Sequence, residues 1–253
     1  MEGFVVKKVF TAATRTGYRR PLVGFGDAGD PAWTRLREVA EPTHLLPEEL
    51  LPDAQTVVAF FLPFAEPVIR KNRKSQGTAE AWAAAYQETN QVINQTVTEL
   101  AESLGDRGVR SAAQGATHNW DEKTLVSRWS HKSAAAIAGL GSFGLHRMLI
   151  TDLGCAGRCG SLVIDAHIPA TTREQPVRCR YFHDGGCRAC VKACPVGALR
   201  EARPGEPNLD KRRCYARLLA VAERFGADCC GKCAVGPCAL RSAVGREGKQ
   251  GAA

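Results

Sequence analysis

The feature that most constrains this chain is the distribution of its cysteines. The sequence has 253 residues and eleven cysteines, and all eleven lie between Cys155 and Cys238. A disulfide-stapled secreted fold would spread its cysteines along the chain, whereas clustered cysteines in a reducing cytosol more often bind metal. The chain therefore begins with a long cysteine-free segment and continues with a segment whose thiols are expected to be metal ligands.

The spacing of three of these cysteines indicates which metal. Cys187, Cys190 and Cys194 are followed by Pro195 and form a C-x2-C-x3-C-P run. In bacterial two-cluster ferredoxins, this run opens with one further cysteine, and its last cysteine ligates the other 4Fe-4S cluster. Asp184 stands at that opening position here, so Cys179 is expected to complete the set from eight residues before Cys187.

The remaining ligands are expected from two downstream stretches, "LDKRRCYARLL" and "DCCGKCAVGPCAL". Together with the first run they supply the eight thiols that two 4Fe-4S clusters require, in a crossed arrangement. The first cluster is assigned to Cys179, Cys187, Cys190 and Cys238, and the second to Cys194, Cys214, Cys230 and Cys233. Structural zinc and a single cluster are the competing interpretations. Cys155, Cys159 and Cys229 are left over and are expected to be buried or free thiols, although Cys229 could exchange with Cys230.

The segment before the cysteines predicts a mixture of helices and strands. The run "TVVAFFL" predicts a buried strand over residues 56–62, and an apolar stripe predicts an amphipathic helix over residues 78–105. "GVRSAA" is expected to be a strand, and "RKNRKSQG" and "GATHNWDEK" are expected to be loops. "MLITDLG" and "SLVIDAHI" are expected to be two strands joined by "CAGRCG". Because there is no strict βαβ alternation, the predicted fold class is α+β.

Three glycines, Gly139, Gly141 and Gly144, form a G-x-G-x-x-G pattern. A dinucleotide-binding loop needs a strand before this pattern, but an alanine-rich, helix-favouring segment precedes it here. We therefore reject dinucleotide binding and expect either a tight turn or a large group packed against the backbone.

The order of these motifs resembles the epoxyqueuosine reductase family. The resemblance covers about residues 40–240 and is carried by four features: "LLPEELLPDAQTVVAFFLPF", "AGLGSFGLHRML", the cysteine-proline run with "LDKRRCYARLL", and the second cysteine cluster. It implies a nitroreductase-like corrinoid-binding domain over residues 1–170. A ferredoxin-like domain with two 4Fe-4S clusters would follow over residues 171–245, and a disordered tail over residues 246–253.

The resemblance also implies a cobalamin cofactor, whose Co(I) state does the chemistry. The family's glycine motif maps onto a stretch whose expected corrinoid-binding residues are Ala138, Gly139, Leu140, Gly141, Ser142, Gly144, His146 and Arg147. The family's proton-donating Asp maps onto Leu125, 14 residues before Gly139, and the nearest carboxylates are Asp121 and Glu122. Asp121 and His131 are the candidate catalytic residues, because a reductive removal of oxygen needs a proton source.

Three functions are compatible with these features. The first is a corrinoid-dependent reductase acting on a small molecule or a modified nucleoside, with ferredoxin or flavodoxin as electron donor and tRNA left open as a partner. The second is an electron-transfer protein that reduces a partner's corrinoid or flavin, and the third is an iron-sulfur reductase that uses FMN. The first is favoured because the resemblance includes the glycine segment as well as the cysteines.

The net charge bears on which partners the protein binds, and the hydropathy pattern bears on its cellular compartment. The formal net charge is +8, and two clusters of about −2 each would lower it to about +4. Basic residues near the cysteines are therefore expected to compensate cluster charge, with a nucleic-acid surface as the alternative. No signal peptide or membrane-spanning run is present in the sequence, which predicts a cytoplasmic protein without membrane attachment.

Overall fold

The computed structural model describes residues 1–172 and 176–244, so the predicted tail, residues 246–253, lies outside the described residues. The strands are β1 (Leu22–Asp27), β2 (Thr56–Pro63), β3 (Ser111–Ala113), β4 (Trp120–Asp121), β5 (Val126–Ser127), β6 (Gly141–Phe143), β7 (Leu149–Thr151) and β8 (Gly157–Ile164). The helices are α1 (Glu2–Thr11), α2 (Ala32–Val39), α3 (Pro47–Leu50), α4 (Glu66–Lys74), α5 (Glu80–Gly105), α6 (His131–Ile137), α7 (Arg180–Asp184), α8 (Ala189–Ala193) and α9 (Lys211–Phe225), followed by a 3-10 turn (Lys232–Ala234).

A four-stranded sheet organises the cysteine-free part of the chain. Its order is β1-β2-β8-β3, and every neighbouring pair is antiparallel. Two small hairpins, β4–β5 and β6–β7, lie outside this sheet. The mixture of helices with an antiparallel sheet agrees with the predicted α+β class.

The central strand β2 is buried along its whole length, as its uninterrupted apolar run predicts. Val57 and Phe61 pack with α6 on one face of the sheet. Phe60 and Leu62 face the opposite side and pack with α1 and α5. Since both faces are covered by helices, no polar residue is needed to alternate with the apolar ones.

The long helix α5 corresponds closely to the helix predicted over residues 78–105. Four residues of the predicted stripe, Trp82, Ile93, Leu100 and Leu104, are buried. The helix packs along β8, and its first turns contact the segment that carries the cysteines. The prediction of its amphipathic face as core is confirmed.

Three local predictions are wrong. The "RKNRKSQG" run is not an exposed loop over its first five residues, which form the end of α4. The loop predicted for "GATHNWDEK" contains β4. "MLITDLG" and "SLVIDAHI" do contain strands, but β7 pairs with β6 while β8 lies at the centre of the main sheet. Of these, only the pairing of β8 with β2 depends on a partner that is distant in sequence.

The cysteine segment packs on the end of α4 and the start of α5. Gly231 has a φ of +68°, and a Cβ there would lie 2.0 Å from the Trp82 ring, so the indole occupies the space of the missing side chain. One apolar cluster contains Phe64 and Ile69 together with Cys179 and Cys190, and therefore joins the two predicted domains. None of the helices in the described ranges is long and apolar enough to cross a membrane.

Candidate metal centre

All eleven cysteines are free thiols. The thiols predicted to hold the first cluster are called the first group here, and they line one small cavity together with Cys233: Cys179, Cys187, Cys190 and Cys238. Cys179 stands before the first residue of α7, Cys190 lies in α8, and Cys238 lies beyond the 3-10 turn. The fold therefore brings together thiols that are up to 59 positions apart in the sequence.

Electrostatics show how closely the first group is packed. The pKa of Cys190 is raised to about 12, first by burial and then by the charges of Cys238, Cys179 and Cys187. Such mutual repulsion between thiolates requires neighbouring sulfur atoms in a poorly hydrated site. A bound cation would remove this repulsion, as iron does in thiolate-ligated clusters.

The second group consists of Cys194, Cys214, Cys230 and Cys233. Burial raises the pKa of Cys233 to about 12, with further contributions from Cys230, Cys214, Cys190 and Cys194. The pKa of Cys214 is likewise raised by burial and by its neighbours Cys230 and Cys194. Because Cys233 also lines the cavity of the first group, the two groups adjoin each other.

Hydrogen-bond donors from the backbone approach sulfur in both groups. The Leu145 N–H donates to Cys179 Sγ at 3.5 Å, and the Ala198 N–H donates to Cys194 Sγ at 3.2 Å. His146 Nε2 lies 3.2 Å from Cys238 Sγ. N–H donors to sulfur stabilise negative charge on thiolate ligands and set the potentials of iron-sulfur sites.

Helix α4 holds the loop that carries the last cysteines. Asn72 is completely buried, and its Nδ2 donates to the Cys230 carbonyl at 3.0 Å. Arg73 Nε donates to the Val235 carbonyl at 2.6 Å, and Lys232 Nζ donates back to the Asn72 carbonyl at 2.6 Å. The sequence offered no signal for these residues beyond a basic run, which we interpreted as a solvated loop.

The three leftover cysteines differ from one another. Cys159 and Cys229 are buried, and burial is the first cause that raises the pKa of each to about 12. Cys155 is also buried, but its Sγ lies 3.7 Å from Cys238 Sγ and 3.6 Å from the Ala234 carbonyl. Cys155 therefore contacts the first group, which its position before the C-P run did not predict.

The candidate catalytic residues lie in different settings. Asp121 is exposed on β4, where its carboxylate accepts hydrogen bonds from the Thr124 backbone N–H and hydroxyl at 2.7 and 2.8 Å. These bonds, the Thr124 hydroxyl first, lower the pKa of Asp121. The segment around Asp121 is a hairpin and not a helix, and the Leu125 backbone N–H donates to the Asp121 carbonyl at 2.8 Å, so the two residues are close together. A catalytic role for Asp121 stays a prediction.

His131 is buried in a hydrogen-bonded network. Its Nδ1 lies 2.8 Å from Ser161 Oγ, its Nε2 lies 3.0 Å from the Gly115 carbonyl, and Trp129 Nε1 donates to the same Ser161 hydroxyl at 3.0 Å. Burial lowers the pKa of His131, so its neutral form is favoured. One of these bonds joins α6 to β8 and the other joins it to the loop after β3, so both ring nitrogens are occupied within the fold. A catalytic role for His131 stays a prediction.

The residues expected to bind a corrinoid do not share one surface. Ala138 and Leu140 are buried in the core beneath the main sheet. Ser142, Gly144 and Arg147 line a cleft of about 280 Å³ together with residues 176–177, 182, 203–206 and 208. His146 points to Cys238 at the first cysteine group.

The glycines of this stretch are explained by packing within the chain. A Cβ at Gly141 would lie 2.3 Å from the Ile150 carbonyl oxygen, and a Cβ at Gly144 would lie 2.7 Å from Ile150 Cδ1. The predicted tight turn is therefore present as the β6–β7 hairpin, and the preceding α6 agrees with our rejection of a dinucleotide-binding loop.

Comparison with solved structures identifies the fold. No protein-family model matches the chain, and no curated protein matches its sequence. A selenomethionine-labelled epoxyqueuosine reductase superposes with a TM-score of 0.56 at 19% identity, over 94% of this chain and 65% of that one. The chain has the fold of the epoxyqueuosine reductases. The enzyme from Bacillus subtilis gives a TM-score of 0.56 at 21% identity, over 86% of this chain and 56% of that one.

A reductive dehalogenase is more distantly similar, with a TM-score of 0.50 at 13% identity over 72% of this chain and 24% of that one. The resemblance that the order of motifs indicated is thus confirmed at the level of the fold. The chain spans 65% and 56% of the lengths of the two epoxyqueuosine reductases compared above. The domain boundary near residue 170 stays a prediction.

The residues present fit iron-sulfur clusters better than they fit a corrinoid. Eight thiols close to one another are the number that two 4Fe-4S clusters would need, and backbone N–H groups donate to two of their sulfurs, those of Cys179 and Cys194. By contrast, Gly141 and Gly144 direct their missing side chains toward β7, and Gly139 directs its missing side chain toward Thr171 and Thr172, so none of the three faces an open cradle. The adjacent cleft is also at the small end of the range for drug-sized ligands, which cobalamin exceeds.

Proposed function

We propose that this protein is an iron-sulfur oxidoreductase with two 4Fe-4S clusters. The observation that carries the proposal is the convergence of eight thiols. Five of them line one cavity, and Cys233 in that cavity is also close to Cys194, Cys214 and Cys230. The first cluster would be held by Cys179, Cys187, Cys190 and Cys238, and the second by Cys194, Cys214, Cys230 and Cys233. Clusters of this kind supply one-electron transfer when bound.

The ligand arrangement supports electron transfer between the two sites. Cys190 and Cys194 lie four residues apart at α8, so they are separated by about one helical turn while belonging to different groups. Cys190 is also close to Cys233, a ligand assigned to the other cluster, which supports adjacent sites. Helix α8 and the residue that follows it would thus contribute one ligand to each cluster and keep the two centres adjacent.

The fold supports a reductase of the epoxyqueuosine reductase type. One solved neighbour is an epoxyqueuosine reductase with an epoxyqueuosine-modified tRNA stem loop, and a modified nucleoside is accordingly the substrate class that we propose first. The resemblance implies cobalamin as the electron acceptor and ferredoxin or flavodoxin as the donor. We assign no step to cobalamin, because the glycines expected to contact it pack against the chain itself.

An anaerobic reconstitution tests the proposal. Iron and acid-labile sulfide would be counted, and the loaded protein would then be titrated separately with cobalamin and with FMN. Ultraviolet-visible and EPR spectra would be recorded before and after reduction. We expect about eight irons per chain and the EPR signals of reduced 4Fe-4S clusters.

The outcomes separate the three functions. Stoichiometric retention of cobalamin with a Co(II) EPR signal would support the corrinoid reductase, and retention of FMN would support the flavin enzyme. About eight irons without either cofactor would favour an electron-transfer protein. Zinc bound in place of iron, or no more than about four irons per chain, would refute the two-cluster proposal.

A further inference from the structure

His146 is held in one orientation at the edge of the first cysteine group. It lies between β6 and β7 and is only 5% exposed. The Met148 backbone N–H donates to His146 Nδ1 at 3.1 Å. A backbone N–H can only donate, so Nδ1 must be the unprotonated nitrogen. In the neutral ring the proton is then on Nε2, which lies 3.2 Å from Cys238 Sγ.

The surrounding chain leaves room for this ring and holds the residues on either side of it. A Cβ at Gly144 would lie 2.9 Å from His146 Cε1, so the glycine provides space for the imidazole. Leu145, the residue before His146, is held in place because its carbonyl accepts a hydrogen bond from Asn208 Nδ2 at 2.8 Å. The residue after it is fixed because Arg147 Nε donates to Asn208 Oδ1 at 2.6 Å.

We propose that His146 is a positioning residue that donates an N–H···S hydrogen bond to Cys238 and thereby raises the reduction potential of the first cluster. This inference rests on the proposed function, because it assumes that Cys238 is a cluster ligand. Reduction adds negative charge, part of which resides on the ligand sulfurs, and a fixed N–H donor stabilises the reduced state more than the oxidised state.

The position of His146 beside two cysteines also allows a different interpretation. His146, Cys155 and Cys238 could hold a metal ion, since their ligand atoms all lie within 4.8 Å of one another. A metal ligand must offer an unprotonated Nε2, which would place the proton on Nδ1 against the Met148 N–H. Two donors would then face each other, so the hydrogen-bond geometry favours a donor to sulfur over a zinc ligand.

The test is a redox titration of the reconstituted protein followed by EPR. His146→Leu removes the donor, and His146→Gln retains an amide N–H that can replace it. His183→Leu is the matched control, because His183 lies on α7 between two ligands of the same cluster and is exposed. We expect His146→Leu to shift one cluster to a more negative potential, His146→Gln to restore part of the shift, and the control to behave as wild type.

Each alternative outcome contradicts a different part of the reasoning. Unchanged potentials in His146→Leu at full iron content would overturn the role of His146 while leaving the two-cluster proposal intact. If both histidine variants lose one cluster, His146 is a ligand or a structural requirement and not a tuning donor. A wild-type protein that binds zinc at these residues, or lacks the two clusters, would instead refute the proposed function.

Discussion

The substitution Gly141→Ala separates a structural glycine motif from one that contacts a cofactor. The φ of Gly141 is not positive, so its backbone conformation is open to alanine. The obstacle is steric, because the added Cβ would lie 2.3 Å from the Ile150 carbonyl oxygen and 3.1 Å from Thr151 Cα. Both atoms belong to the buried backbone of β7, which cannot rotate away as a flexible side chain would.

The size of the expected loss in folding stability follows from this steric contact. Overpacking against backbone costs about 3 kcal/mol, while the smaller conformational entropy of unfolded alanine returns about 0.7 kcal/mol. The net loss of about 2 kcal/mol corresponds to a decrease in Tm of about 4 to 8 °C for a chain of this size. The assay is thermal unfolding under anaerobic conditions, with iron content matched between the proteins.

Gly3→Ala is the matched control for this experiment. Gly3 lies in α1 and nothing approaches within 4 Å of the position of its missing Cβ, so the substitution should stabilise the helix by about 0.5 kcal/mol. If Gly141→Ala melts with the wild type but no longer retains cobalamin, the glycine faces a cofactor and our packing explanation is refuted.

Three further predictions concern the clusters, acid stability and the core. Cys194→Ser should lower the iron content from about eight to about four per chain, while Cys159→Ser should leave it unchanged, as measured by iron and sulfide analysis. Burial raises the pKa of Glu88, but hydrogen bonds from Thr16 and Arg15 outweigh this effect and lower it. Its stabilisation is therefore present above the unfolded pKa and lost as the pH falls, so wild type should lose about 1 kcal/mol more than Glu88→Gln between about pH 5 and pH 3 in urea titrations. Ser161→Ala should destabilise the fold by about 2 kcal/mol in urea unfolding, because the indole N–H of a buried tryptophan loses its acceptor; an unchanged midpoint would contradict that network.

The sequence predicted the elements of the fold whose signals are local. The apolar run of β2 and the stripe of α5 each depend on spacing within one segment, and both elements occur where they were expected. The order of motifs also indicated the correct fold, because it combines several segments at once. Strand pairing was not accessible in this way: β8 pairs with β2 across about a hundred residues, and no local pattern encodes that partner.

In the candidate site too, features with a local sequence signal were predicted and features that depend on distant contacts were not. The spacing of the cysteines predicted two sets of four ligands, because the ligands of one metal type recur in a recognisable run. Asn72 and His146 carry no such pattern, and their roles depend on contacts with Cys230 and Cys238, which lie far away in the sequence. His131 was proposed because it lies near the glycine motif, and its ring nitrogens bond Ser161 of β8 and the Gly115 carbonyl. A catalytic role for His131 stays a prediction.

The position of His146 also changes the meaning of the glycine motif. If Gly144 leaves room for an imidazole that donates to Cys238, this glycine serves the first cluster through a neighbouring side chain and need not touch a cofactor. Gly141 then shapes the hairpin that carries the same histidine. A motif that resembles a corrin-binding stretch would thus act here by fixing one hydrogen bond to sulfur, so Gly141→Ala and His146→Leu should perturb the potential of the same cluster.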